Sequence, residues 1–244
     1  MATRIKLCGM YRDEDIAAVV AARPDFVGFI VDFPQSHRSI SPERLRELCA
    51  LLDEEEATVR ETARWAVPAA AAVPPRILRV GVLVNQPLAR AARIARDANL
   101  DFVQLHGNED RPYVDALRSR LPRGCGIIQA FRMRSAADAV RAEESHADLV
   151  LLDAGQGAGE AFDWQLATQV TRPFLLAGGL TPQNIPAAVA AVRPWGVDLS
   201  SGIETDRVRD PAKMAAAVTA VHGASSAAPA AAPTEPTDND KENA

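Results

Sequence analysis

The sequence predicts an α/β fold, a closed (β/α)8 (TIM) barrel in a single domain. Short β-rich runs alternate with alanine- and arginine-rich helical stretches along most of the 244 residues, which is typical of βα units around a parallel sheet. The unit occurs eight times without a break, which favours a closed barrel over an open doubly wound sheet. The first strand also runs into Cys8-Gly9-Met10 and not into the glycine-rich turn that a dinucleotide-binding sheet carries there.

The predicted elements follow one another regularly up to about residue 222. We expect strands at residues 5–8, 26–31, 79–84, 102–106, 126–132, 149–153, 174–177 and 196–200. We expect helices at residues 13–22, 42–52, 87–98, 111–121, 136–145, 164–168, 182–192 and 210–222. Two helices have a start signal with a physical mechanism, since Ser41-Pro42 and Thr181-Pro182 each place a capping hydroxyl before a first-turn proline.

Two stretches fall outside this repeat. Residues 53–75 separate the second helix from the third strand, where a few residues are normally enough, so we interpret them as a helix extension and an Ala/Pro linker on the face opposite the site. Residues 223–244 are rich in Ala, Pro and Ser and then acidic, with almost no large apolar side chain. Such a segment cannot offset the entropy lost on ordering, so we predict a barrel over residues 1–222 and a disordered tail over 223–244.

The bulk composition excludes several classes of protein. A net charge of −5 gives no basis for binding nucleic acid or an anionic membrane, and no apolar run approaches the roughly 20 residues that span a bilayer. Three widely spaced cysteines suit a reducing compartment, and no His/Cys cluster has metal-ligand spacing. We therefore expect a cytoplasmic, metal-free protein with neither a nucleic-acid nor a membrane partner. The sequence does not fix the oligomeric state; we expect a monomer and keep a homodimer as the alternative.

Loops of small residues follow the last two predicted strands, in FLLAGGLTPQN (residues 174–184) and GVDLSSGIE (residues 196–204). Main-chain N–H groups at such turns and helix starts are unpaired and can face one anion. The position after the seventh and eighth strands is the usual phosphate site of a (β/α)8 barrel. We therefore predict that a phosphorylated small molecule is held there by the backbone of Gly178, Gly179, Ser200, Ser201 and Gly202.

Three residues at predicted strand ends have side chains suited to proton transfer: Cys8, His106 and Asp153. Strands 1 and 6 flank strands 7 and 8 in a closed ring, so a ligand anchored by its phosphate would place its reacting carbons between Cys8 and Asp153. A base and an acid on opposite sides of a small substrate are what an isomerisation requires. His106 shares a face with Gln104 and either lines the pocket or satisfies buried hydrogen bonds; the sequence does not separate these roles. Asp198, within the last strand, is expected to support the phosphate loop.

Eight motifs in register resemble the phosphoribosylanthranilate isomerase family, from about residue 4 to residue 222. His37 and the segment 129–131 depart from what we expect of a typical member. The motifs are KLCG (6–9), VGFIV (27–31), SHRSISPE (36–43), VGVLVN (80–85), FVQLHGNE (102–109), LLDAGQGAGEAFDW (151–164), LAGGLTPQN (176–184) and VDLSSGIE (197–204).

The resemblance implies a cofactor-free Amadori rearrangement of N-(5'-phosphoribosyl)anthranilate. It implies that Asp153 is the general acid that opens the furanose and Cys8 the general base that removes the C2 proton. We expect burial to raise the pKa of Asp153. For Cys8 there are two alternatives: its pKa is lowered toward neutrality, or its thiol loses the proton in concert with the reaction. The resemblance places Arg38 against the anthranilate, where its planar cation pairs with the carboxylate or stacks on the ring. The stretch 155–159 is expected to form a mobile flap.

Two other functions remain open at this point. The sister isomerase of histidine synthesis performs the same rearrangement on a doubly phosphorylated imidazole substrate, but it resembles this chain less because it uses an aspartate where Cys8 stands. The first half of the chain also lacks a second GG/SSG-like pair. A non-catalytic barrel that binds a phosphosugar would keep the loops and lose the acid–base pair.

Overall fold

Eight parallel strands close into a ring in the computed structural model, which describes residues 2–65, 75–153 and 164–227. Each strand pairs with the next along the chain, and the first pairs with both the second and the last. The barrel prediction is therefore confirmed. The barrel strands are β1 (Arg4–Cys8), β2 (Phe26–Val31), β4 (Leu78–Leu83), β5 (Phe102–Leu105), β6 (Gly126–Arg132), β7 (Leu149–Asp153), β8 (Phe174–Ala177) and β9 (Gly196–Leu199).

All eight predicted helices are present, and most bounds agree with prediction within a few residues. The second helix is the exception, since it continues well past its expected end. The helices are α1 (Asp13–Ala22), α2 (Pro42–Trp65), α3 (Leu88–Asp97), α4 (Arg111–Arg118), α5 (Ala136–Glu143), α6 (Trp164–Ala167), α7 (Ile185–Val192) and α8 (Pro211–Ala227).

The two stretches outside the repeat are described only in part. Helix α2 covers the first part of the expected insert, and residues 66–74 lie outside the described residues. Helix α8 continues to Ala227, past the predicted end of the last helix at residue 222. The rest of the predicted tail, residues 228–244, also lies outside the described residues.

Side chains alternate between the inside of the barrel and the surrounding helices, because successive residues of a strand point to opposite faces. A small apolar cluster that includes Val80, Ile128 and Leu175 fills the lower interior, with Phe26 in edge contact with Phe102. A larger apolar layer lies between the strands and the helices. The interior above the small cluster is polar, because Lys6, Gln104 and Asp198 are buried there.

Three short strands without a strong sequence signal are present besides the eight barrel strands. The strand β3 (Ser39–Ile40) pairs with β2, and β10 (Glu204–Thr205) pairs with β11 (Val208–Arg209) as a hairpin. The two residues between β10 and β11, Asp206 and Arg207, have φ of 52° and 64°. Two consecutive positive φ angles are typical of the tight turn that joins hairpin strands. Such turns are usually built from Asn-Gly or Asp-Gly, so the Asp-Arg pair does not predict one.

One of the two predicted helix starts is confirmed. Helix α2 begins at Pro42, and Ser41 Oγ accepts the N–H of Arg44 at 3.1 Å. The start of α7 at Pro182 is wrong, since that helix begins at Ile185. Thr181 and Asn184 instead bond to each other, the Thr181 N–H donating to Asn184 Oδ1 at 2.8 Å, and this turn delays the helix.

None of the helices that the structure describes combines the length and the apolarity needed to cross a membrane.

Candidate active site

A cavity of about 400 Å³ opens at the carboxyl ends of the barrel strands. It brings together eight of the nine predicted site residues, from six different strand ends or loops. They are Cys8, Arg38, His106, Asp153, Gly178, Gly179, Ser200 and Ser201. The thiol and the carboxyl thus face one cavity, which also reaches the two small-residue loops. The ninth residue, Gly202, does not line the cavity.

Cys8 ends β1 with its side chain inside the barrel, 5 % exposed. Burial raises the pKa of its thiol, and the nearby charge of Asp198 adds to this effect. The positive charges of Lys6 and Arg209 oppose it without reversing it. The expectation of a pKa lowered toward neutrality is therefore wrong, because the desolvation of a thiolate outweighs its attraction to two cations.

Lys6 and Asp198 form an ion pair directly below Cys8. The ammonium group of Lys6 is 0 % exposed and lies 3.0 Å from both carboxylate oxygens of Asp198. Burial alone would lower the pKa of Lys6, but the charges of Asp198 and Cys8 together raise it. From the sequence we expected Asp198 only to support the phosphate loop, and nothing singled out Lys6.

Gly28, opposite Cys8 on β2, makes room for this arrangement. A Cβ at position 28 would lie 2.7 Å from Cys8 Sγ and 3.0 Å from Lys6 Nζ. Both distances are shorter than normal contacts, so any larger residue must displace the sulfur or the ammonium group.

We expect the substitution Gly28→Ala to lower kcat by on the order of 10- to 100-fold, since a small displacement of a reacting group has that effect. The measurement is steady-state turnover of the candidate substrate named below. Gly223→Ala is the matched control, because a Cβ at position 223 meets nothing within 4 Å. Equal kcat values for the two variants would contradict the interpretation of Gly28.

Asp153 ends β7 and is partly accessible, with 22 % of its side chain exposed. Its Oδ2 lies 3.5 Å from Nε2 of His106, and the other ring nitrogen of His106 lies 3.0 Å from Gln104 Nε2. Gln104, His106 and Asp153 therefore form a row along one wall of the cavity.

The sequence left two roles open for His106, lining the pocket or satisfying hydrogen bonds. His106 does both: it lines the cavity and contacts Gln104 and Asp153. Among the described residues, Gln104 Oε1 is one of three buried side-chain atoms without a hydrogen-bond partner.

Arg38 lies at the opposite wall and is held in a fixed orientation. Its Nε and Nη2 donate to the two carboxylate oxygens of Glu204 at 2.7 and 2.6 Å, and His37 Nε2 lies 3.5 Å from the same carboxylate. Burial alone would raise the pKa of Glu204, but the hydrogen bond from Arg38 and the charge of Arg209 lower it overall. The bidentate pair leaves the planar face of Arg38 as the part that a ligand can meet.

Arg209, a residue that the sequence did not indicate, ties the end of β1 to the last loop. It is 2 % exposed and donates to the carbonyl groups of Cys8 at 2.6 Å, of Gly9 at 2.8 Å, and of Ser200. Its position depends on the β10–β11 hairpin, whose turn has no clear sequence signal. The backbone of the catalytic candidate Cys8 is thus braced by a side chain that follows it by 201 positions.

The two small-residue loops lie side by side. Gly178 and Gly179 have φ of 97° and 62°, a backbone conformation that glycine adopts without strain. The Gly179 carbonyl accepts the side-chain amide of Asn184 at 3.0 Å, which braces this loop. A Cβ at Gly202 would lie 1.8 Å from the carbonyl oxygen of Leu180, so glycine is required where the loops touch. Gly202 therefore allows the two loops to pack closely, and its neighbours Ser200 and Ser201 line the cavity.

The predicted flap, residues 155–159, lies outside the described residues. Within the described ranges, no group of three His, Cys, Asp or Glu residues is arranged to hold a metal ion.

The fold and this site define a (β/α)8-barrel enzyme in which a thiol and a carboxyl share one cavity with two main-chain loops. The family model described as N-(5'phosphoribosyl)anthranilate (PRA) isomerase matches residues 53–220. The chain belongs to this family. A curated N-(5'-phosphoribosyl)anthranilate isomerase from Acetivibrio thermocellus is 39% identical over 224 residues, covering 87% of this chain and 92% of the relative. The curated N-(5'-phosphoribosyl)anthranilate isomerase from Chromohalobacter salexigens is also 39% identical, over 88% of this chain and 92% of the relative.

Solved structures agree with these relatives. The phosphoribosyl anthranilate isomerase of Thermotoga maritima has a TM-score of 0.73 at 31% identity, covering 91% of this chain and 99% of its own. A second isomerase structure, in complex with reduced 1-(o-carboxyphenylamino)-1-deoxyribulose 5-phosphate, has a TM-score of 0.70 at 30% identity over the same shares. The family expectation from the sequence motifs is confirmed.

Proposed function

We propose that this protein isomerises N-(5'-phosphoribosyl)anthranilate to 1-(2-carboxyphenylamino)-1-deoxyribulose 5-phosphate, a step of tryptophan biosynthesis. The observation that carries the proposal is the single cavity shared by Cys8, Asp153 and the two loops at β8 and β9. A ligand that extends from these loops reaches a thiol on one side and a carboxyl on the other. This is the arrangement that a 1,2-proton shift in a phosphosugar needs.

The acid role falls to Asp153. In its protonated form it donates to the ring oxygen of the sugar, and the C1–O bond breaks as nitrogen supplies the electron pair of the resulting iminium ion. His106, with its Nε2 3.5 Å from Oδ2, is placed to exchange a proton or a hydrogen bond with this carboxyl. A general acid at such a position contributes about 10²–10⁴-fold to the rate.

The base role falls to Cys8. Its sulfur takes the C2 proton of the iminium ion, the C–H electron pair forms the C1–C2 double bond, and the iminium nitrogen becomes neutral. The enolamine then tautomerises to the ketone. Because burial raises the pKa of Cys8, we favour the concerted alternative. The thiol gives its own proton to solvent as the cationic iminium ion forms, and the resulting thiolate, beside Lys6 and Arg209, accepts the C2 proton.

The phosphate is assigned to the backbone of Gly178, Gly179, Ser200 and Ser201, which line one end of the cavity. Main-chain N–H groups bind a dianion without the desolvation cost of a lysine, and two neighbouring loops provide several of them.

Arg38 is assigned to the anthranilate ring. The sequence left two contacts open, a salt bridge to the carboxylate or stacking on the ring. Since Nε and Nη2 both donate to Glu204, the larger free surface of this guanidinium is its planar face. We therefore favour stacking, with the apolar side chains of Ile30 and Phe33 lining the same part of the cavity.

The test is an assay of the purified full-length chain on two substrates, followed by the loss of anthranilate fluorescence and by a coupled assay. We expect turnover of N-(5'-phosphoribosyl)anthranilate and little or none of the aminoimidazole carboxamide substrate of the histidine pathway. Preferred turnover of the imidazole substrate would assign the protein to the sister reaction. Tight binding of a product analogue without turnover would indicate a non-catalytic phosphosugar-binding barrel.

We also propose that the protein is a cytoplasmic monomer, with a homodimer as the alternative. The three free cysteines fit a reducing compartment, and all the groups assigned above come from one chain. Light scattering on the purified chain distinguishes the two oligomeric states.

A further inference from the structure

We propose that Lys6 is the charge partner of the base Cys8: its ammonium group, anchored by Asp198, holds the thiol in place and stabilises the negative charge that develops on sulfur. The proposal rests on the proposed function, because it takes Cys8 to be the base. It assigns a part in proton abstraction to a residue that does not line the cavity.

The ammonium group of Lys6 lies close to both the thiol and a carboxylate. Lys6 and Cys8 are two residues apart on β1 and both point into the barrel, and the charge of each affects the pKa of the other. A Cβ added to Gly28 would lie 2.7 Å from Cys8 Sγ and 3.0 Å from Lys6 Nζ, so the sulfur and the ammonium group both border the small space beside Gly28. Asp198 fixes the other side of the ammonium group through two 3.0 Å contacts.

The charges around the sulfur are few and unequal in effect. Lys6 is the strongest of the groups that favour the thiolate, Arg209 is a weaker one, and Asp198 opposes it. Arg38 carries a further positive charge that interacts with the thiol, and its side chain lies beside Gly9, the residue after Cys8. With Lys6 removed, burial would act against the thiolate with little opposition. Lys6 itself keeps its proton throughout the step, while the proton from substrate C2 moves to sulfur.

A purely structural role explains the pair less well. A buried ion pair adds little to stability compared with apolar residues of the same volume, because desolvation offsets the attraction between its charges. Its position against a nucleophilic atom is what makes the ammonium group useful. The two roles predict different results when the charges are removed in different combinations.

The experiment measures the reactivity and titration of the Cys8 thiol, by the rate of iodoacetamide alkylation against pH and by thiolate ultraviolet absorbance. Cys8→Ser protein supplies the baseline from Cys49 and Cys125. The variants are Asp198→Asn, which keeps Lys6, and the double variant Lys6→Met/Asp198→Asn, which removes both charges and so leaves no unpaired ion in the interior. Circular dichroism and thermal unfolding establish that each variant is folded.

We expect opposite shifts. Asp198→Asn should raise the alkylation rate of Cys8 at neutral pH, because the opposing carboxylate is gone and the ammonium group turns fully to sulfur. The double variant should lower that rate at least about tenfold, the effect of one pKa unit on the thiolate fraction. Shifts in the same direction, or an unchanged rate in the double variant, would overturn the proposal.

These readouts need no substrate, so they separate two kinds of failure. Opposite shifts in a protein that does not turn over N-(5'-phosphoribosyl)anthranilate would retain the charge partnership and reject the function. Turnover by the parent chain without these shifts would retain the function and reject the role of Lys6.

Discussion

Replacing Cys8 with serine is expected to lower kcat by at least about 100-fold while product-like ligands still bind. The hydroxyl group occupies nearly the same space as the thiol, so the neighbouring loops and Arg38 stay in place. It is a much weaker acid than a thiol, and even Lys6 and Arg209 cannot make its oxyanion accessible in a buried position. The measurement is steady-state fluorescence for kcat, combined with a binding titration of the reduced product analogue.

Cys125→Ser is the matched control for this substitution. Cys125 is another free thiol, burial raises its pKa to about 12, and it does not line the cavity. Its replacement should leave kcat unchanged. The parent enzyme offers a second check: a base with a raised pKa is mostly protonated at neutral pH, so the rate of proton abstraction should increase as the pH rises. Undiminished turnover in Cys8→Ser would show that another group removes the C2 proton.

Replacing Asp153 with asparagine is expected to lower kcat by a similar factor, at least about 100-fold. The amide keeps the size of the carboxyl and can still bond to His106, but it cannot deliver a proton to the ring oxygen. The furanose should therefore stay closed, and no later intermediate should accumulate in single-turnover experiments. Rapid mixing with excess enzyme, followed by fluorescence, measures this directly.

The matched control is Asp115→Asn. Asp115 also pairs with a histidine, since its Oδ1 lies 2.7 Å from Nδ1 of His146, but this pair lies on the surface of the barrel. Its removal should change neither kcat nor ligand binding. If Asp153→Asn retained the parent's kcat, the proton donor would have to be sought elsewhere, with His106 as the first alternative.

The order of elements and the general position of the site were predictable from sequence. Each barrel strand has a local pattern of apolar residues, and each site residue stands at the end of a strand or in the loop after it. A closed parallel barrel brings all carboxyl strand ends to one face, so the listing of these ends already placed Cys8 opposite Asp153. The glycines of the loop after β8 signalled its backbone conformation in the same local way.

What the sequence could not give is the electrostatic environment of those residues. Lys6 and Asp198 are 192 positions apart, and Arg38 and Glu204 are 166 apart, so no local pattern connects them. The pKa of Cys8 is set by how deeply β1 is buried and by which charges reach it, so the sequence could not choose between a lowered pKa and a proton lost in concert. The hairpin that carries Glu204 and Arg209 to the cavity was also missed, because its turn residues are not those that usually mark one.

The amino-acid sequence by itself determined the barrel, its strand order and the set of groups at its mouth, because periodicity and loop composition are local properties. Only the tertiary structure decided that the thiol is buried beside an ammonium–carboxylate pair and that Arg38 is held by Glu204. Those properties depend on distances between residues far apart in the chain and on exclusion of water. Both exist only once the ring of strands has closed.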